Sequence, residues 1–293
     1  MLLVAGLLLG STDSGRAASA PGAELWSHFL SHQPRSGREI DHSAWDVWLD
    51  RYVSQGRGDV VLVAYAKVRR SDRYLLDSYI HDLEGIRITR YSRAEQLAYW
   101  INLYNALSVK QVLELLPIES LRDLLDGSAA PRGGPWNEKL VTIEGEGVSL
   151  NDIENRSLRP IWHDPRVLYA LNRAAVGAPS LLTKAYTAHN LDTLLDQVAR
   201  TYVNSRRGLS VSGGRLTVSS LYTWYKDDFG GDDRAVIEHL MVYAEPELRE
   251  QLAAVSEISG EQYDWRLNAA SVAVPEASVE AVKEEVLPGD SRR

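Results

Sequence analysis

Asn102 and Asn105 stand three residues apart in a run, 97–113, that is otherwise almost wholly apolar. That spacing puts both on one face of a helix. A carboxamide taken out of water without partners costs roughly 1–3 kcal/mol, so each of the two must be hydrogen-bonded. Two uses are open: fastening a neighbouring loop, or pointing at a ligand or a reacting carbonyl. A second polar pair, Asn172 and Arg173, leaves the apolar run 167–171 and enters a stretch of small residues at 174–179. Small side chains let a backbone or a ligand come close, so such a pair reads as the wall of a cleft. Arg173 cannot be a nucleophile, because its guanidinium stays charged and offers only donors, yet it could grip a carboxylate or phosphate. The expected cleft is lined by Asn102, Asn105, Trp136, Asn172 and Arg173, and the candidate ligand set also takes in Lys139, Glu154 and Arg159.

Other constellations carry less chemistry. Asp152 and Glu154 could form an acid and base pair, but two residues apart on a helix they point to different sides. Asp152 is expected to cap with Ser149, and Glu154 to pair with Arg159 or Arg166. His28 and His32 lie four apart and could share a metal, but no acidic partner is near in sequence. Asp227, Asp228, Asp232 and Asp233 lack the alternating spacing of a calcium loop, and a glycine helix stop followed by an aspartate helix start explains them better. No glycine-flanked serine elbow, phosphate loop or paired zinc histidines with glutamate occurs. No cofactor or metal is called for.

The elements that must position these residues can be read in order. Helices are expected near 23–31, 42–53, 71–83, 92–116, 149–158, 191–203, 219–228, 235–243 and 246–255. Ser92 with Glu95 and Ser149 with Asp152 read as capping boxes, Pro160 as the stop of the 149–158 helix, and Asn190 as a cap. Strands are expected at 60–65, 139–143, 167–171 and 263–268, and Ser212, Gly213 and Gly214 join 209–211 to 215–218 as a hairpin. The helix from Ser92 is apolar on nearly every side and should be central. The fold class is α+β, with helices packed around a small, mainly antiparallel sheet.

The chain has 293 residues, 44% of them hydrophobic and 25% charged, with a net charge of minus eight. These are the proportions of a soluble globular protein, and the acidic balance argues against a nucleic-acid surface. With no cysteine, disulfides, thiolate metal sites and a thiol nucleophile are excluded. The apolar run 2–10, followed by Ala17, Ala18 and Ala20, fits a secretory signal, so residues 1–20 are expected to be a signal peptide of an exported, periplasmic protein. The run is too short to span a bilayer, and no transmembrane helix is expected in the mature chain. Residues 21–90 read as an N-terminal helical region packed onto the rest, 91–268 as the main domain, and 269–293 as an acidic tail, disordered in part.

The helix 91–105, WNEK at 136–139, SLNDIEN at 149–155, LRPIWHDPR at 158–166, YALN at 169–172 and YDWRLN at 263–268 together resemble domain of unknown function family 547. The resemblance implies a histidine where Asn155 stands, another at Leu168, a cysteine at Arg173 and a second cysteine at Ala178. All four are replaced here. Cysteine with histidine makes a nucleophile and its base, or a zinc site, and their joint absence implies a unit given up. Two functions remain open: a non-catalytic binding module for a peptide or small anionic molecule, or a hydrolase or acyl-transfer enzyme related to thiol enzymes.

Overall fold

The computed structural model describes residues 22–56, 59–124 and 134–270. The expected signal peptide and acidic tail therefore fall outside the described residues, apart from Ala269 and Ala270. Among the described residues no helix is long and apolar enough to cross a membrane.

Helix α3 (Arg93–Leu115) runs through the middle, and eighteen of its side chains are buried. Its sequence explains both ends. Ser92 accepts the Glu95 backbone N–H at 3.3 Å, and Pro117 comes just after the last turn. Only half of the expected capping box forms, because the Glu95 carboxylate accepts from the Ile40 N–H instead. Ahead of α3 come α1 (Ser43–Tyr52), the antiparallel pair β1 (Val53–Gln55) and β2 (Val61–Val63), and α2 (Arg70–Glu84). Trp45, Trp48, Leu76, Tyr79 and Leu83 from these elements join one core with α3.

After α3, β3 (Val141–Ile143) and β4 (Glu146–Val148) form a hairpin whose turn residues, Glu144 and Gly145, have φ of 49° and 88°. Two positive φ values match the twist of a tight hairpin. Next come α4 (Leu150–Asp152), a π-helical turn (Ile153–Leu158), α5 (Arg159–Trp162) and the single turn α6 (Val167–Ala170). Helix α7 (Leu191–Val203), the hairpin β5 (Leu209–Ser212) and β6 (Arg215–Ser219), and α8 (Ser220–Trp224) lie beyond it, then α9 (Asp233–Tyr243), α10 (Pro246–Ala253) and β7 (Ile258–Gln262). A second core lies among α7, the β5–β6 hairpin, α8 and α9. Helix α6 bridges the two, giving Val167 and Ala170 to the first and Leu168 and Tyr169 to the second.

The class is α+β, as the residue patterns indicate, but the sheet is divided. Two separate hairpins and a three-stranded β5-β6-β7 sheet replace the single sheet expected, and β7 runs parallel to β6. Three local expectations are corrected. The run 167–171 is not a strand: it coils into α6, and only Leu171 is extended, with φ −96° and ψ 111°. A short apolar run buried on all sides fits either form, and periodicity cannot separate them. Pro160 does not end its helix, which runs on to Trp162. The missing proline N–H would have served the Asn155 carbonyl in the π register or the Arg156 carbonyl in the α register. Those two oxygens instead accept from the Glu24 and Trp26 N–H groups, each at 2.9 Å. Strand β7 lies upstream of the expected 263–268, which makes only isolated bridges, Arg266 with Ser120 and Leu267 with Ala175. Smaller shifts also occur. The helix expected at 219–228 breaks into α8 and a 3-10 turn (Lys226–Phe229), and the Asn190 side chain bonds Thr187 and Ala185 in place of the α7 end.

Two histidines lie inside this framework. His42 shares a 2.7 Å hydrogen bond with the Tyr79 hydroxyl, and His239 one of 2.8 Å with Tyr169. Burial pushes both down to about 4, against the opposing pull of Asp41 on His42 and of Asp164 on His239. A histidine whose pKa is depressed by folding stabilises fully above its ordinary value near 6.5, and that contribution is lost as the pH falls towards 4. Between pH 7 and 5, where few carboxylates titrate, each should remove about 2 kcal/mol. His239→Phe should therefore roughly halve the fall in urea unfolding free energy over that interval, and an unaltered slope would refute the assignment.

Candidate functional site

The polar stripe of α3 is built first. Asn105 Nδ2 donates to the Ala170 carbonyl at 2.9 Å, its Oδ1 accepts the Asn172 N–H at 2.9 Å, and Ser108 Oγ donates to the Asn172 carbonyl at 2.9 Å. One helix turn away, Asn102 gives and takes the same pair of bonds with the Tyr186 backbone, at 2.7 and 3.0 Å. The stripe thus acts as a pairing edge for two buried loop segments that have no strand beside them. Of the two uses open to these amides, fastening a neighbouring loop is the one seen. Asn172 is engaged in the same way, through the Pro179 carbonyl and the Ala174 N–H.

Arg173, next in line, is 2% exposed and reaches Glu154 Oε1 at 2.5 Å. Its Nη2 also meets the Tyr225 hydroxyl at 3.3 Å, while the Tyr104 hydroxyl donates to the other Glu154 oxygen at 3.4 Å. Burial opposes the Arg173 charge, but the Glu154 carboxylate outweighs it and holds the guanidinium protonated well above its ordinary value. The expected partners of Glu154 are thereby corrected. Arg159 pairs with Asp228, donating from Nε at 3.0 Å, and Arg166 with Asp164, Asp192 and Asp196. The wider winding of the π turn carries Glu154 inward, while the next residue, Asn155, accepts from Arg159 Nη1 at 2.7 Å and Arg159 reaches Asp228. Asp152 forms the complete capping box expected with Ser149 and also takes Lys139 and Arg156.

Both buried guanidiniums lie over one ring. Arg159 is 4.8 Å and Arg173 5.2 Å from the centre of Tyr225, within cation–π range. Tyr225 is in turn part of the wall of a cleft of about 650 Å³ shared by Arg159, His163, Trp224, Lys226, Asp227 and Asp228, with Gly22 and Ala23 at its edge.

The residues expected to line a cleft are placed away from this one. Asn102, Asn105, Trp136, Asn172 and Arg173 are each no more than 5% exposed, and none of five surface clefts includes them. Trp136 packs in the first core, Lys139 is exposed against Asp152, and Glu154 is buried; Arg159 lines the cleft beside Tyr225. Tyr225, Trp224, Lys226 and Asp228 line this cleft too, and in the sequence their stretch carries only the signal of a helix stop. That stretch does stop and restart helices: Gly230 is left-handed and Asp232 accepts the Ala235 N–H at 2.8 Å. His28 and His32 part company, one 3.9 Å from Glu144 and the other beside Arg93. Among the described residues no three acidic or histidine side chains could hold a metal ion.

Residues 88–203 match the model of a family described as "Protein of unknown function, DUF547". This segment is similar to the DUF547 family. The match spans α3 to α7 and so contains Asn102, Asn105, Glu154 and Arg173, while Tyr225 and Asp228 lie beyond it. No curated protein and no solved structure matches the chain. The DUF547 segment therefore contributes the buried ion pair, and the cleft over it is closed by the C-terminal part.

Two substitutions probe these contacts. Asn105→Leu leaves the Ala170 carbonyl and Asn172 N–H without partners and should cost roughly 2–4 kcal/mol in urea unfolding. Arg173→Met, which strands the Glu154 carboxylate, should cost about 3–5 kcal/mol, and most of that loss should return in the double variant with Glu154→Leu. A harmless single substitution would mean that the pair is hydrated.

Proposed function

We propose that this protein is a non-catalytic binding module that holds a short peptide in the cleft over Tyr225. The observation that carries this reading is the Arg173–Glu154 pair, which backs Tyr225 from within the core. Where the family resemblance places a thiol, the chain has a guanidinium already engaged by a carboxylate, and such a group attacks nothing. A fixed charge behind an aromatic wall makes a rigid surface for recognition.

The lining favours a peptide over a simple anion. Arg159 and Lys226 face Asp227 and Asp228, so both signs of charge flank the aromatic residues Trp224 and Tyr225. A ligand carrying both signs and an apolar side chain complements that mixture. The edge of the cleft already holds extended chain, since the Glu24 and Trp26 N–H groups bond the carbonyls of Asn155 and Arg156. Main-chain bonding of this kind is how extended peptides are held. The apolar run at 2–10 supports export, which would put the cleft in contact with peptides outside the cytoplasm.

A library of mixed-charge pentapeptides, assayed by quenching of tryptophan fluorescence, tests the reading. A subset should bind saturably without being cleaved, and Lys226→Glu should weaken the acidic members about fivefold, or roughly 1 kcal/mol. Turnover of any peptide, or a library without a single saturable member, would overturn it.

A further inference from the structure

We infer that the protein has a second binding site, for a small oxyanion carrying two or three negative charges, in the cleft between the 120–122 turn and the 262–266 segment. It shares no lining residue with the peptide cleft, although Trp224 of that cleft packs 4.7 Å from Tyr263 and 5.5 Å from Trp265, and it goes beyond that reading. The cleft holds about 560 Å³ and is lined by Arg122, Arg206, Arg207 and Arg266 with Tyr263 and Trp265. Four guanidiniums there meet one lining carboxylate, Asp264, a formal charge of plus three on a chain whose net charge is minus eight. Gathering like charges opposes folding unless something else is gained, and the rest of the acidic surface repels large polyanions while leaving a small one free to enter.

The four arginines differ in what they can do. Arg207 has a side chain only 9% exposed, and its guanidinium is clamped by the carbonyls of Ala178 at 2.8 Å and Asp59 at 2.9 Å, with the Asp59 carboxylate a loose 3.8 Å away. It contributes a fixed charge at the floor. Arg266 is held by Asp264 at 2.5 Å but is 76% exposed, so it can turn to a ligand at small cost. Arg122 and Arg206 are exposed and make no ion pair among the described residues. Two unpaired guanidiniums beside a fixed one suit the planar, forked geometry of carboxylate or phosphate oxygens.

The walls are tied together in advance. The Leu121 N–H bonds the Trp265 carbonyl at 3.0 Å, the Val176 N–H that of Arg266 at 2.8 Å, and Gln262 Nε2 the Arg206 carbonyl at 2.7 Å. Gly177 lets the 264 backbone approach: a Cβ there would lie 2.6 Å from the Asp264 nitrogen. Segments far apart in the chain therefore present their arginines from a rigid frame, which lowers the cost of ordering them around a ligand.

Titration calorimetry of the full chain with citrate and with pyrophosphate, at matched ionic strength and with chloride as control, tests the site. At least one should bind with one-to-one stoichiometry, and the arm that binds tells carboxylate from phosphate. The double variant Arg122→Ser, Arg206→Ser should weaken that binding about tenfold, the loss of charge-assisted bonds, while the urea midpoint stays unchanged because both side chains are exposed. Lys226→Glu, in the other cleft, should leave it unaltered. Failure of both anions to saturate, full affinity in the double variant, or a loss caused by Lys226→Glu would each overturn the inference.

Discussion

The structure depends on one helix face that does the work of a strand. Asn102, Asn105 and Ser108 line α3 at three-residue intervals, and together they satisfy the backbone of residues 170, 172 and 186 deep inside the molecule. A buried loop must pair its N–H and C=O groups, and while residues 174–177 pair with 264–268, the backbone at 170, 172 and 186 is served by these side chains. The carboxamide, with a donor and an acceptor on one small planar group, can serve a residue's N–H and a neighbouring carbonyl together. Remove that service and the 170–187 segment cannot stay in the dry interior where it joins the two cores.

From that anchoring comes the charged centre. Residue 173 is delivered to the core because residue 172 is held, and its guanidinium meets Glu154 because a π turn swings that carboxylate inward. Pro160 is part of the same arrangement. By withholding an N–H it leaves a helix carbonyl unserved at the place where the 24–26 segment bonds the Asn155 and Arg156 oxygens, so an apparent helix breaker becomes a docking edge. Tyr225 then closes the assembly, with two guanidiniums over its ring and a cleft on its outer side.

Where the family resemblance implies reactive thiol and imidazole groups, this chain has Arg173, Asn155 and Leu168 in roles of support. Arg173 is ion-paired, Asn155 holds Arg159, and Leu168 packs in the second core. A buried ion pair is weak evidence for stability, since desolvation offsets much of its attraction, but it fixes geometry strictly when one partner is as rigid as a guanidinium over a ring. Geometry of that kind suits a surface for recognition. Behind Trp224, which packs on Tyr263 and Trp265, the arginines of the second cleft are drawn from three separate stretches, and backbone bonds among those stretches keep them together.

By itself the sequence determined what local periodicity and local chemistry can carry. The central helix with its Ser92 cap, the tight hairpin at Gly213, the Ser149 and Asp152 box, the glycine stop and aspartate start near 230, and the need for both α3 asparagines to find partners could all be read from neighbours a few residues apart. Tertiary structure alone decided the rest. Whether 167–171 coils or extends depends on being buried from both sides, which no period records. Glu154 chose Arg173 over Arg159 because of a π turn, and Arg159 found Asp228, 69 residues away. Which arginines share a cleft was likewise set by chain crossings. Charges select partners by distance in space, and sequence separation says nothing about that distance once the chain has folded.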